Sequence, residues 1–146
     1  MVVAALVDGG ADGSWSESLL ASGDLCAPHL LPVEVTNTLR RAVQRRVLSR
    51  DVAALAHADL LDLRIELFPF APFGSRIWAL RDNVTAYDAW YVALAETLGA
   101  PLATLDKRLS RAAGPRCEFR VPKKRGGLLV ARGALGLHVL REHTLA

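Results

Sequence analysis

Residues 83–106 limit the possible folds more tightly than any other stretch of the chain. Thr85 stands three residues before Asp88, a capping-box-like spacing at the start of a helix. The run Ala89, Trp90, Val92, Ala93, Leu94 and Ala95 then predicts an apolar helix, and Gly99 suits the left-handed position that ends one. Pro101-Leu102-Ala103-Thr104-Leu105 is short and apolar, as a strand covered on both faces should be. Asp106 follows at its carboxyl end, where open α/β sheets place their sites. Asp88 and Asp106 are therefore expected to meet at one sheet edge.

The segments around this stretch alternate in the same way. Leu25-Cys26-Ala27-Pro28 predicts a brief strand, and Pro32 suits the first turn of a helix whose buried face is Leu31, Val35, Leu39 and Ala42. Glu34, Asn37, Thr38 and Arg41 recur at i, i+3, i+4 and i+7 and form its polar face. Ser49 caps a second helix with Val52, Leu55, Ala56, Leu60 and Leu63 on one side; Ile65–Phe68 predicts a strand, and Arg76–Leu80 a short helix. After Asp106 a short helix begins at Lys107-Arg108-Leu109, and Arg116–Val121 predicts a last strand. Strands alternating with helices over residues 25–121 predict an α/β fold with a parallel sheet between helical layers. The opening Met1–Val7 fits a strand or a helix equally well, Asp8–Ser14 reads as a loop, and Ser14 or Ser16 caps a helix through Leu20.

At 146 residues, 51% of them hydrophobic, the chain is expected to form one domain with a real core. Met1–Val7 lacks the basic n-region of a secretory leader. The run from Leu128 to Leu140 is interrupted by Arg132 and too short to span a bilayer. A soluble, cytoplasmic protein is expected, with no membrane partner and with Cys26 and Cys117 as buried thiols. Charge is unevenly spread. Residues 1–31 hold four acids and no Lys or Arg, whereas residues 107–146 hold ten basic side chains against Glu118 and Glu142. That asymmetry suits a polyanionic substrate held by its phosphates. Residues 122–146 are expected to form a basic tail, disordered or one weak helix.

No phosphate loop, dinucleotide fingerprint, zinc-protease or serine-elbow motif occurs. Glu34, Asp88 and Asp106 remain, each at a helix start or a strand end. Hard cations such as Mg²⁺ take carboxylate oxygens and retained waters, and such an ion assists phosphodiester hydrolysis. Thr104 and Asn83 are placed to reach the same cleft. Each acid also has a structural reading: Glu34 as a helix-dipole acid, Asp88 as a capping partner, Asp106 as the cap of the next helix.

The segment Ala27-Pro28-His29-Leu30-Leu31-Pro32-Val33-Glu34-Val35-Thr36-Asn37-Thr38-Leu39-Arg40-Arg41 resembles the second-helix signature of PIN-domain ribonucleases of the VapC toxin type. Tyr87 through Glu96, followed by Thr104-Leu105-Asp106, resembles two further motifs of that family. The resemblance covers residues 1–121 and implies a three-layer α/β/α sandwich with a short parallel sheet. It also implies an endoribonuclease dependent on Mg²⁺ or Mn²⁺, usually homodimeric, cleaving RNA and neutralised by a cognate antitoxin. By position, Glu34, Asp88 and Asp106 correspond to family acids, Thr104 to an accessory hydroxyl, and Asn37 to a polar residue one turn after the first acid.

The family opens on a strand ending in an aspartate, whereas Met1–Val7 aligns with the helix after it. A central strand and a fourth acid are thus expected to be missing, and Asp8 does not replace that acid. This leaves two expectations open: an active nuclease whose start lies upstream, or an impaired PIN-like module that binds antitoxin or RNA without cleaving. For residues 1–146 the expectation is weak metal binding and little or no cleavage.

Overall fold

The computed structural model describes residues 1–21 and 23–122, together with the backbone of 138–140. Helix α1 (Val2–Val7) buries Val2, Val3 and Ala5, which resolves the ambiguous opening as a helix. Helix α2 (Ala11–Leu20) begins four residues earlier than a Ser14 cap allows, inside the glycine-rich stretch expected to be loop. The Asp8 carboxylate accepts the Gly10 N–H at 2.8 Å and so organises the turn between the two helices. Ser16 is fully buried within α2, and its hydroxyl donates back to the Asp12 carbonyl.

Gly13 is required by this packing and not by turn geometry. A Cβ there would lie 1.6 Å from the Asp8 carbonyl oxygen and 3.0 Å from that of Ala4. Because both neighbours are backbone, Gly13→Ala can be accommodated only by separating α1 from α2. It is expected to lower stability by about 3 kcal/mol, read as an earlier midpoint in urea unfolding. An unchanged midpoint would show that the two helices part at no cost.

Strand β1 (Leu25–Pro28) is buried along its length and leads into α3 (Leu31–Gln44), with Pro32 in the first turn as the sequence suggests. Ser49 caps α4 (Arg50–Asp62) by accepting the Val52 N–H at 3.2 Å. The buried face of α4 is Ala53, Ala56 and Leu60, so Ala56 and Leu60 are buried as expected, whereas Val52 and Leu55 face solvent and Ala53 is buried in their place. Strand β2 (Ile65–Phe68) and α5 (Gly74–Ala79) follow. Helix α6 (Ala86–Leu98) is buried without interruption from Tyr91 to Ala95 and packs against the sheet. Gly99 ends it with φ of 61°, the left-handed stop anticipated for that glycine. Strands β3 (Leu102–Ala103) and β4 (Phe119–Arg120) are shorter than expected, and the helix expected after Asp106 is only a 3₁₀ turn over Leu109–Arg111.

The last strand, β5 (His138–Leu140), corrects the expected tail helix at those three residues. The remainder of the tail, 123–137 and 141–146, lies outside the described residues. The sheet order is β2-β1-β5-β3-β4, and every pairing is parallel. Val139 sits between Cys26 on β1 and Leu102 on β3. Among the described residues, β5 alone joins the β2–β1 pair to the β3–β4 pair. The sheet therefore has a central strand, supplied from late in the sequence. Helices α1 to α4 pack on one another, while α5 packs on α6, which lies across β1, β5 and β3. This is the parallel α/β/α arrangement expected from the alternation.

Candidate active site

Asp88 occupies the first turn of α6, where the helix dipole favours a carboxylate. Thr85 fixes it there. The Thr85 hydroxyl oxygen accepts the Asp88 N–H at 3.2 Å, and the hydroxyl donates to Asp88 Oδ2 at 2.8 Å. Asp106 lies just beyond β3, held in a tight loop. Its N–H donates to Thr104 Oγ1 at 3.0 Å, and its Oδ1 accepts the N–H groups of Arg108 at 2.7 Å and Leu109 at 3.3 Å. Both acids thus fill the capping roles that sequence left open as an alternative, and both also line one cleft of about 560 Å³. Asn83, Thr85, Arg81 and Arg108 line it with them.

Glu34 is not among the residues lining this cleft. Its Oε2 accepts the hydroxyl of fully buried Tyr91 at 2.5 Å. Tyr91 stands three residues after Asp88 on α6, so the bond ties Glu34 to the helix face that carries Asp88. Thr104 is fully buried, and its oxygen anchors the Asp106 backbone without itself lining the cleft. Asn37 is turned elsewhere: its Oδ1 accepts Nε and Nη2 of Arg40 at 3.1 and 2.9 Å, in a groove along α3. The structure therefore gathers Asp88, Asp106 and Asn83, links Glu34 to the Asp88 helix through Tyr91 without placing it in the cleft, and separates Asn37.

Sequence reasoning missed Arg81, Arg108 and Tyr91. Arg108 is recognisable only from its position two residues after Asp106. Arg81 lies two residues before Asn83, with its guanidinium 5.0 Å from the Trp78 ring centroid and 3.5 Å from Asp82. Tyr91 reads as one more core aromatic until its hydroxyl finds Glu34.

Neither cysteine competes as a nucleophile. Burial, reinforced by Glu66 and Asp24, pushes the Cys26 thiol up to about 11; burial and Glu96 do the same for Cys117. A second charged cluster, beside a 400 Å³ cavity, is a structural clamp. Glu96 accepts Arg76 Nε at 2.7 Å, Arg76 Nη2 at 3.0 Å and the Arg116 N–H at 2.7 Å, joining α5, α6 and the approach to β4. Burial alone would raise the Glu96 carboxyl, but these donors and their charges leave it below its ordinary value.

The polar side chains of the cleft offer only oxygen and nitrogen atoms, with no His or Cys, and Val84, Leu109 and Ala112 complete its lining. Among the described residues, no three His, Cys, Asp or Glu side chains stand close enough together to hold an ion. A preformed protein cage of the Ca²⁺ or Zn²⁺ kind is therefore not what these residues build. The Asp88 and Asp106 carboxylates and the Asn83 amide, in an open cleft that Asp82 also lines, fit a hard ion that keeps several waters and takes substrate phosphate oxygens as its remaining ligands.

Comparison with known proteins agrees with this geometry. The PIN domain family model matches residues 1–115. Ribonuclease VapC1 of Mycobacterium tuberculosis is 43% identical over 121 residues, which cover 82% of this chain and 91% of that protein. The VapC ribonuclease Mb0985 of Mycobacterium bovis is 38% identical over 106 residues, 73% of this chain and 84% of the relative. Ribonuclease VapC12 of M. tuberculosis is 38% identical over 95 residues, 65% of this chain and 74% of the relative. With a parallel α/β/α core, two aspartates converging on one cleft and this similarity over most of its length, the chain belongs to the PIN-domain family and to its VapC-type members.

Proposed function

We propose that the Asp88–Asp106 cleft hydrolyses RNA phosphodiester bonds with a divalent cation, Mg²⁺ or Mn²⁺, as the toxin of a type II toxin–antitoxin pair. One observation carries this reading. Asp88 and Asp106, from separate parts of the chain, line a single open cleft together with Asp82 and two arginines. Asp88 and Asp106 would hold the ion, which when bound supplies an activated water and neutralises phosphoryl charge. Thr85 keeps the Asp88 carboxylate aimed, and the Thr104 oxygen fixes the loop that presents Asp106. Arg81 and Arg108 bind the phosphates flanking the scissile one, and Asn83 donates its amide to a phosphoryl oxygen. Glu34, steadied by Tyr91, adds negative charge at the back of the site.

The same reading takes a cognate antitoxin as partner, a homodimer as the assembly and the cytoplasm as the compartment. Among the described residues no helix is long and apolar enough to cross a membrane. A labelled single-stranded RNA incubated with the purified chain is expected to yield discrete fragments in Mg²⁺. Excess EDTA should abolish them, and added Mg²⁺ or Mn²⁺ should restore them. Fragments that persist in EDTA would sink a metal-dependent mechanism. RNA retention with no cleavage above the protein-free blank would favour the non-cleaving PIN-like module instead.

A further inference from the structure

The end of α3 and the turn into α4 carry an arginine run that the cleft does not use. Arg40, Arg41, Arg45, Arg46 and Arg50 fall within eleven residues, with no acid among them. Basic residues in a helix's last turn offset its dipole, which accounts for one or two of these but not for five. Among the described residues, no ion pair joins Arg40, Arg41, Arg46 or Arg50 to a carboxylate. Arg40 is held by neutral groups instead. Its Nε and Nη2 donate to Asn37 Oδ1, and its Nη1 donates to Gln44 Oε1 at 2.9 Å. The guanidinium is thus oriented in advance while its charge stays unneutralised.

Arg46 adds an independent observation. With φ of 59° it is the only non-glycine residue of positive φ among those described. It follows the last turn of α3 at the position where helices usually place glycine, and the Val47 N–H reaches back to the Ala42 carbonyl as that stop requires. A side chain here carries strain that glycine would avoid. The strained turn shapes a concavity of about 620 Å³, lined by Gln44, Arg46, Val47, Ser49 and Arg50 among others. Val47 stands 71% exposed and lines it with Arg46 and Arg50, offering an apolar contact for a base or ribose.

The run is also aligned with the site. Arg41 lies seven residues after Glu34 on the same face of α3, about 10 Å along the helix axis. Glu34 in turn is tied by Tyr91 to the helix bearing Asp88.

We propose that the α3–α4 turn is a phosphate-binding subsite for single-stranded RNA. It holds the strand beyond the scissile bond with Arg41, Arg46 and Arg50. This rests on RNA being the substrate of the cleft, so the test measures binding and cleavage separately.

The full chain is titrated into a fluorescently labelled single-stranded RNA in EDTA, across about 50 to 200 mM salt. Relative to the unsubstituted chain, a triple variant (Arg41→Gln, Arg46→Gln, Arg50→Gln) should bind about tenfold more weakly. It should also lower the slope of log affinity against log salt by roughly 2. Arg64→Gln, an exposed arginine between α4 and β2, should change neither. Arg46→Gly separates subsite from scaffold: it should raise the thermal midpoint by relieving strain and still weaken RNA binding. A triple variant that binds and cleaves like the unsubstituted chain would overturn the subsite and leave the nuclease reading intact. Binding lost in the triple variant, in a chain that never cleaves with Mg²⁺, would overturn the nuclease and support the subsite. Preference for a polyglutamate peptide over RNA would mark the turn as a protein-docking surface and overturn the proposal.

Discussion

Asp88→Asn is expected to lower Mg²⁺-dependent RNA cleavage at least about 100-fold, the scale on which a single preorganised electrostatic group usually acts. The substitution is nearly isosteric. An asparagine carbonyl can still accept the Thr85 hydroxyl, and the backbone N–H that Thr85 caps is untouched. What is lost is one negative charge from a cleft containing two arginines. The structural cost should be confined to the helix-dipole interaction, about 0.3–1 kcal/mol. The informative result is therefore a separation: cleavage collapses while the thermal midpoint barely moves. Thr85→Ala should behave in the opposite sense, losing about 1 kcal/mol of stability with its cap and only part of its activity. Cleavage by Asp88→Asn within threefold of the unsubstituted chain would mean that Asp88 is a helix cap and nothing more.

The second large effect concerns the sheet. Val139 is paired on both sides, with Cys26 and with Leu102. Proline there removes a backbone donor and leaves a facing carbonyl in the centre of the sheet without its partner. Val139→Pro is expected to cost about 2–3 kcal/mol and to lower the melting midpoint by roughly 5–10 °C. Circular dichroism on heating reads this directly. A melt superimposable on that of the unsubstituted chain would show that β5 contributes little to joining the two halves.

These outcomes bear on what could be read from sequence. Features stated by neighbours in the chain were legible: the Ser49 and Thr85 caps, the Gly99 stop, and the placing of Asp106 at the end of a strand. Features that depend on distant contacts were not. Gly13 looks like a loop glycine until α1 is laid against it. On α4, Ala56 and Leu60 were legible, but Val52 and Leu55 were wrongly assigned to the buried face because they outrank Ala53 in hydrophobicity, whereas the close packing of α4 selects the smaller side chain. Residues 138–140 have a composition compatible with helix or strand, and only the gap between β1 and β3 decides. At the site, the two aspartates were legible because each carries a local motif. The Glu34–Tyr91 bond spans 57 positions and leaves no trace in any window of sequence.

The position of β5 has a consequence for how the protein is made. Leu25 must wait for His138, on the order of a hundred residues later, before the sheet can join. At ordinary rates of about 5–20 residues per second, several seconds of synthesis separate the two strands. Asp88 and Asp106 are both made within that interval, and until His138 follows them the half of the sheet beneath them is not bonded to the half that leads into α3. A cleft organised in this way acquires the joined sheet beneath it only after its own residues have been made.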